Sequence, residues 1–326
     1  MEKKKINYGV IGVGHIGKYH IQQIQNIKKV NLVGVFDINL TLGKSIAKEF
    51  NTTAFVKLID LLVECDAVSI ATPAFSHYEI ANVSLMNTCH VFLEKPITTS
   101  VDHAKKLILL SEEKKLLIQV GHIERFNPAL VDFVQKNRFF QPSFIEAHRL
   151  APFNIRGTDT DVILDLMIHD IDLILDLMQS PVLSVEASGV SVLSETLDLV
   201  NARITFQNQS VANLTASRIS DKPLRKLRLF KEKEYVSIDL QNHAYSQYKV
   251  ENQKNKAVKK RSVFELNNNV VTLQKYQAKK TNALYEELLS FINSIQTSQK
   301  ISVTAKDGKN AIEVALLIKD KVYENK

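Results

Sequence analysis

The chain has 326 residues, of which 45% are hydrophobic and 24% charged. This composition is typical of a folded globular protein and, at about 100–200 residues per domain, predicts two domains. The 42 Lys and Arg outnumber the 35 Asp and Glu for a net charge of +7, but the stretch 222–280 holds 15 basic and five acidic residues. The remainder is therefore near neutral, which disfavours a uniformly basic nucleic-acid binder.

Cysteine content and hydropathy indicate the compartment. Cys65 and Cys89 are the only cysteines, too few for a disulfide scaffold and without the spacing of a zinc site. The basic start resembles a signal peptide, but the apolar run after it contains glycines and no small-residue cleavage site. No run reaches the roughly 18 apolar residues of a membrane span. We expect a cytoplasmic protein with no metal and no membrane or nucleic-acid partner.

The first 120 residues alternate short β-branched runs with helical stretches, the pattern of a doubly wound parallel sheet. The predicted strands are Ile6–Ile11, Asn31–Phe36, Ala67–Ala71, His90–Leu93 and Leu117–Val120. The predicted helices are His15–Ile27, Thr41–Phe50, His77–Asn87 and Ser100–Lys114.

After Gly121 the rhythm changes. Helices are predicted at Pro128–Asn137 and Asp161–Met178 around a strand at Phe144–Leu150, and alternating strands then run from Leu183 to about Gln274. This pattern predicts a second, α+β domain with a mostly antiparallel, open-faced sheet. We place the domains at 1–122 and 123–326, with closing helices near Asn282–Ile295 and Ala305–Tyr323; the C-terminal helix is a candidate to pack back on the first domain.

A glycine-rich turn follows the first strand. Gly12, Gly14 and Gly17 form G-x-G-x-x-G between a strand and a helix, the context in which the helix N-terminus binds a pyrophosphate. Asp37 ends the second strand, where a carboxylate accepts hydrogen bonds from ribose hydroxyls. Since that charge repels a 2′-phosphate and no arginine follows it, the sequence favours NAD over NADP.

Two further patterns carry groups that can move a proton. Glu94-Lys95-Pro96 follows a buried strand, at the edge of the sheet where ligands of open α/β folds bind. Taken alone, the triplet is more often a surface turn. Asp165, His169, Asp172 and Asp176 fall on one stripe of an otherwise apolar helix. The stripe is either a solvated acidic face or the lining of a cleft in which Asp165 orients His169 as a base.

These motifs, in this order and at this spacing, resemble those of the Gfo/Idh/MocA oxidoreductases. The resemblance implies an N-terminal Rossmann domain, a C-terminal sheet that forms a homodimer or homotetramer, and NAD(P)-dependent oxidation of a sugar or cyclitol hydroxyl. The resemblance further implies that Lys95, Asp165 and His169 are the catalytic residues. The implied cofactor-binding residues are Gly12, Gly14, His15, Ile16, Gly17, Asp37, Ala71, Thr72, Pro73, His77, Glu94 and Lys95. The implied substrate-binding residues are Lys95, Arg125, Arg156, Asp165, His169 and Asp172. Met167 departs from the glycine common in the family two positions before the histidine.

A narrower resemblance lies in Gly121-His122-Ile123-Glu124-Arg125-Phe126-Asn127-Pro128 and in the segment from Arg156 to Asp170. It points to the branch that includes UDP-N-acetylglucosamine 3-dehydrogenases. Arg125, Arg149 and Arg156 suit a diphosphate, although each is equally an interdomain or surface ion pair. The alternatives are a free cyclitol or aldose dehydrogenase, a non-catalytic NAD-binding protein, and a binder of phosphate-rich surfaces through 222–280.

Overall fold

The computed structural model describes residues 4–138, 140–154, 160–252, 261–266, 269–297 and 299–324. The chain divides into two compact units. The first runs to Ile123 and includes Asn282–Glu313, whereas the second contains Glu124–Thr281 and the chain from Val314 onward. No helix of the described residues has the length and hydropathy needed to cross a bilayer.

The first unit contains a six-stranded parallel sheet in the order β3-β2-β1-β4-β5-β6, which confirms the predicted doubly wound fold. This order places a topological switch point between β1 and β4, where such folds bind dinucleotides. Its strands are β1 (Ile6–Ile11), β2 (Val30–Phe36), β3 (Thr53–Phe55), β4 (Ala67–Ile70), β5 (His90–Glu94) and β6 (Ile118–Gly121). Its helices are α1 (His15–Ile24), α2 (Leu40–Glu49), α3 (Leu58–Val63), α4 (His77–Met86) and α5 (Val101–Lys114).

Helix α8 (Ala283–Thr297) completes the core of the first unit, whereas the sequence predicts these residues as part of the second domain. Its Phe291 is buried, with ring centroids 5.9 Å from Phe92 and 6.5 Å from Tyr8. Since both faces of a parallel sheet must be covered, a late helix returns to cover β1 and β5. Helix α9 (Ala305–Glu324) divides between the two units at Glu313.

The second unit contains a nine-stranded sheet in the order β14-β15-β13-β12-β11-β7-β10-β9-β8, antiparallel except for the parallel pair β7 and β10. Its strands are β7 (Phe144–Leu150), β8 (Val182–Val190), β9 (Leu199–Phe206), β10 (Val211–Ser217), β11 (Leu224–Lys231), β12 (Glu234–Asp239), β13 (Ala244–Asn252), β14 (Arg261–Leu266) and β15 (Asn269–Gln277). Its helices include α6 (Pro128–Lys136) and α7 (Ile168–Met178). The predicted mostly antiparallel sheet is confirmed.

The two faces of this sheet differ. On one face Tyr245 is buried against Phe133 of α6. The opposite face bears four half-buried aromatic rings on four neighbouring strands, which we call the aromatic ladder. The centroids of successive rings are 5.9, 4.8 and 5.2 Å apart. The ladder consists of Phe144, Phe230, Tyr235 and Tyr248. Alternation along each strand produces this division, because successive side chains point to opposite faces.

The basic residues of 222–280 do not form one patch in the described part of the segment. Arg225 shares its face with buried Leu227 and approaches Glu124 at 3.6 Å, whereas Arg228 lies on the opposite face and pairs with Glu146 at 3.1 Å. Because Arg225 and Arg228 lie on opposite faces and each approaches a glutamate, these two arginines give no support to a single phosphate-binding surface.

Candidate active site

The loop after β1 has the geometry of a phosphate-binding turn. Gly12 has φ +81°, which only glycine adopts readily, and a Cβ at Gly17 would lie 1.9 Å from the carbonyl oxygen of Gly12. A Cβ at Gly14, by contrast, would meet no described atom within 4 Å. No side chain caps α1, so the amides of its first turn, beginning at exposed His15 and Ile16, remain for a ligand. The fold therefore needs Gly12 and Gly17 itself and leaves open space at Gly14.

Asp37 fixes this loop. Its Oδ2 accepts the Val13 amide at 2.9 Å and its Oδ1 accepts the Asn39 amide at 2.8 Å. The carboxylate is half-buried, and each oxygen retains a second lone pair. The next residue, Ile38, is 94% exposed. A carboxylate held at the end of β2 is thus available to ribose hydroxyls.

His77 lies beneath two loops at the carboxyl edge of the sheet. Its ring is buried, with Nε2 2.9 Å from the Thr72 carbonyl oxygen and Nδ1 2.8 Å from that of Pro96. Burial lowers the pKa of His77, outweighing the opposing effect of these two carbonyls, and a neutral ring donates to only one of them. Both ring nitrogens of His77 thus contact the loops after β4 and β5, and its predicted contact with the cofactor stays a prediction.

Glu94 ends β5 and Lys95 follows it, and both are half-buried. Glu94 Oε1 is 2.9 Å from His20 Nε2, and its Oε2 accepts the Lys95 amide at 3.3 Å. Burial by itself would raise the pKa of Glu94, but its interactions with His20 and the charge of Lys95 hold it below its usual value. The sheet edge thus carries a carboxylate next in sequence to a lysine.

In the second unit, the predicted helix over Asp161–Met178 is not uniform. Ile163–Met167 forms a π-helical turn, closed by a bond from the Ile168 amide to the Ile163 carbonyl, and α7 follows it. Asp165 lies in the π turn and His169 in the first turn of α7, and both are half-buried. Single π turns occur frequently at functional sites, because they redirect side chains relative to a regular helix.

The C-terminal half of the predicted stripe, Asp172 and Asp176, forms an ion-pair network. Arg125 donates from Nε and Nη2 to the two carboxylate oxygens of Asp172, both at 2.7 Å, and its Nη1 lies 2.6 Å from Asp176. The side chains of Arg125 and Asp172 are only 11% and 1% exposed. The structure pairs them with each other, and a bidentate guanidinium compensates the cost of burying this carboxylate on an apolar helix. Substrate binding by either residue stays a prediction.

Arg149 is the centre of a second network. It lies 2.8 Å from Glu124 and 2.8 Å from Asp170, and all three side chains are buried. Burial by itself would raise the pKa of both carboxyls. The charge of Arg149 outweighs burial at Glu124, so the pKa of Glu124 is lowered, whereas burial prevails at Asp170 and its pKa is raised. A sequence signal for this network existed in Asp170, a charged residue within an apolar helical run.

Thr160, the first described residue after the remaining candidate arginine, is held by a side chain. Arg156 lies outside the described residues, but Arg218 donates to the Thr160 carbonyl at 2.7 Å and to Asp198 at 2.8 Å. Asp198 also accepts the amides of Val192, Leu193 and Ser194. No group of three His, Cys, Asp or Glu suited to a metal occurs within the described ranges.

Comparison with known proteins identifies the family. Residues 6–122 match the model of the oxidoreductase family with an NAD-binding Rossmann fold, GFO_IDH_MocA, and residues 137–237 match the GFO/IDH/MocA C-terminal domain. A UDP-N-acetylglucosamine 3-dehydrogenase from Acidithiobacillus ferrooxidans is 41% identical over 240 residues, 74% of this chain and 76% of the relative. This chain belongs to the Gfo/Idh/MocA oxidoreductase family.

Solved structures of family members extend this similarity over the whole chain. A structure of UDP-N-acetylglucosamine 3-dehydrogenase from A. ferrooxidans matches with a TM-score of 0.89 and 34% identity, covering 99% of both chains. Scyllo-inositol dehydrogenase from Lactobacillus casei, with bound NAD(H) and scyllo-inositol, shares the fold at a TM-score of 0.79 and 20% identity, over 99% of this chain and 98% of that chain. The chain is thus a Gfo/Idh/MocA protein over its full length.

Proposed function

We propose that this protein is an NAD-dependent dehydrogenase that oxidises the 3-hydroxyl of UDP-N-acetylglucosamine, or of a related nucleotide sugar, to a ketone. The observation that carries the proposal is the similarity to UDP-N-acetylglucosamine 3-dehydrogenase, which covers three quarters of that relative in sequence and 99% of its structure. In this proposal residues 1–122, completed by α8, bind cofactor, and the α+β unit binds substrate.

The residues of the first unit fit NAD. The open space at Gly14 and the uncapped start of α1 suit a diphosphate, and Asp37 suits the adenosine ribose. The carboxylate of Asp37 repels a 2′-phosphate, and Ile38-Asn39-Leu40 supplies no cation. These features favour NAD over NADP.

In the proposed reaction the substrate loses a hydride from its C–H bond and a proton from its O–H bond, and each goes to a different acceptor. NAD, when bound, accepts the hydride. His169, oriented by Asp165, takes the hydroxyl proton as the C=O bond forms, and Lys95 stabilises the oxygen as its negative charge develops. The π turn that carries Asp165 directly before α7 supports this assignment, since it sets the aspartate apart from the regular helical stripe.

A free cyclitol or aldose remains a second candidate substrate, favoured by the two arginine networks. Arg125 and Arg149 hold buried carboxylates and so give no support to diphosphate binding. Among the three candidate arginines, the nucleotide-sugar proposal therefore depends on Arg156 for such a contact. Steady-state rates with UDP-N-acetylglucosamine, UDP alone as inhibitor, and inositol separate the two: inhibition by UDP indicates a nucleotide subsite.

We further propose a homodimer or homotetramer built on the ladder face of the second sheet. The four rings of the aromatic ladder are half-buried, and Glu146 and Arg228 form a salt bridge on the same face. Aromatic centres with polar surroundings are typical of protein–protein interfaces. Light scattering of the purified protein tests this assembly.

A further inference from the structure

A chain of hydrogen-bonded side chains crosses the core of the first unit and ends on Glu94. Tyr8 Oη and Ser69 Oγ are 2.8 Å apart, Ser69 Oγ and His20 Nδ1 are 3.1 Å apart, and His20 Nε2 lies 2.9 Å from Glu94 Oε1. We call Tyr8, Ser69 and His20 the relay. All three are fully buried, whereas the side chain of Glu94 is 19% exposed.

The relay is an unusual element of an apolar core. Burying a phenol, a hydroxyl and an imidazole is unfavourable unless each is hydrogen-bonded, and apolar residues of similar volume would avoid that cost. Helix α1 places His20 on the buried stripe that includes Gly17, Ile21 and Ile24. Among the described residues, the hydrogen bonds of the relay lead to the carboxylate of Glu94.

The protons of the relay have a defined order when His20 is neutral. The ionised Glu94 accepts only, so His20 Nε2 carries the proton and Nδ1 accepts from the Ser69 hydroxyl. Ser69 in turn accepts from the Tyr8 hydroxyl. Hydrogen bonds aligned in this way polarise one another, which strengthens the final bond to the carboxylate.

Backbone features fix the carboxylate from its other sides. Glu94 pairs in register with Gly121 of β6, and a Cβ at Gly121 would lie 3.1 Å from both carboxylate oxygens. The amide of Lys95 contacts Oε2. Glu94 is therefore held at the carboxyl ends of β5 and β6, on the opposite side of β1 from Asp37, which directly follows β2.

We propose that the relay fixes the Glu94 carboxylate where it stabilises the positively charged nicotinamide of NAD+, and so raises the affinity for NAD+ relative to NADH. This inference rests on the proposed function. With adenosine over β2, the nicotinamide half of a dinucleotide extends across the switch point towards β4, β5 and β6. The ring carries a positive charge in NAD+ and none in NADH, so a fixed anion discriminates between them.

His20 and the Lys95 amide hold the carboxylate of Glu94 in place, whereas the ammonium of Lys95 acts on the substrate oxygen in the proposed chemistry. The relay residues touch neither cofactor nor substrate in this proposal; they are positioning residues that act through Glu94.

The test is the dissociation constant of each cofactor form for the full-length protein. NADH is titrated by its own fluorescence, and NAD+ by competition against NADH. For Ser69→Ala and His20→Gln we expect the Kd of NAD+ to rise about fivefold, with that of NADH changing less than about twofold. Ser84→Ala is the matched control, because Ser84 is equally buried but its hydroxyl donates to the Ile80 carbonyl within α4, away from the relay.

A double-mutant cycle shows whether the relay acts through Glu94. In a Glu94→Gln background, which removes the charge, Ser69→Ala should leave the ratio of the two constants unchanged. Equal weakening of NAD+ and NADH, or a ratio shift that persists without the Glu94 charge, would overturn the inference. A wild-type protein that binds neither cofactor form would overturn the proposed function and this inference with it, whereas wild-type binding with an unshifted variant ratio overturns the inference alone.

Discussion

Arg125 and Asp172 form a two-point ion pair, with both N–O distances at 2.7 Å and the aspartate side chain 1% exposed. The pair ties the short 3₁₀ turn Ile123–Phe126 to α7, the helix that carries His169. A guanidinium engaged in this way acts on the site through the position of α7.

Breaking this pair should destabilise the protein. Arg125→Ala leaves Asp172 buried without its bidentate partner, and we expect the free energy of unfolding to fall by about 3 kcal/mol. Urea denaturation measures the change. Lys18→Ala is the control, because Lys18 and Glu49 form an exposed pair worth less than about 1 kcal/mol. A raised KM for the nucleotide sugar with unchanged stability would instead restore Arg125 as a substrate ligand.

Removing the proposed base should affect turnover and spare cofactor binding. His169→Ala should lower kcat by about a hundredfold, since general-base catalysis contributes about that factor or more. The Kd of NADH should stay within about twofold, because His169 belongs to the second unit and the glycine loop to the first. Loss of NADH binding at intact stability would contradict the assigned role.

Cofactor preference should follow the charge of Asp37. Asp37→Asn keeps a side-chain oxygen for the Val13 amide and removes the negative charge. We expect kcat/KM with NAD to fall about tenfold and activity with NADP to rise, because the 2′-phosphate is no longer repelled. Parallel assays with both cofactors measure this shift, and an unchanged NAD to NADP ratio would argue against Asp37 as the ribose ligand.

Asp198 should make stability depend on pH. Burial alone would raise the pKa of this carboxyl, but hydrogen bonds from Ser194, Leu193, Arg218 and Val192 hold it well below the usual value. A depressed folded pKa gives a stabilisation that is full above the unfolded value of about 4 and is lost as pH falls below it. The Tm difference between wild type and Asp198→Asn should therefore be constant at neutral pH and shrink below pH ~4. A difference independent of pH would contradict this.

The assembly should depend on the aromatic ladder. Tyr235→Asp places a charge between stacked Phe230 and Tyr248 and should shift the protein towards monomer in light scattering. Val192→Asp is the control, since Val192 is 54% exposed in the loop after β8. An unchanged mass for a folded Tyr235→Asp variant would exclude the ladder face as the interface.

Much of the fold is predictable from periodicity. The buried strands β1, β4 and β5 appear as apolar runs with turn signals, and the glycine spacing identifies the loop after β1. Strand β3 and helix α3 were missed because they have three and six residues, too few for a period to emerge. The return of α8 to the first unit depends on contacts with Tyr8 and Phe92 that lie far away in sequence.

The candidate site was predictable in its residue types and less so in their partners. Spacing places His169 and Asp172 on one helical stripe, but only the tertiary structure reveals that Arg125 pairs with the carboxylates of Asp172 and Asp176. The π turn at Ile163–Met167 has no local sequence signal that we recognise. His20 did carry one: its place on the apolar stripe of α1 predicts a buried imidazole that needs partners.

The most direct measurement is the growth of the reduced-nicotinamide absorbance band after mixing the purified protein with NAD and UDP-N-acetylglucosamine. Free glucose and inositol are run beside it, and 2-oxoglutarate with an aminotransferase is added to remove the ketone. We expect growth of the band with the UDP-sugar and none with the free polyols. Signal with inositol or glucose and none with the UDP-sugar would contradict it.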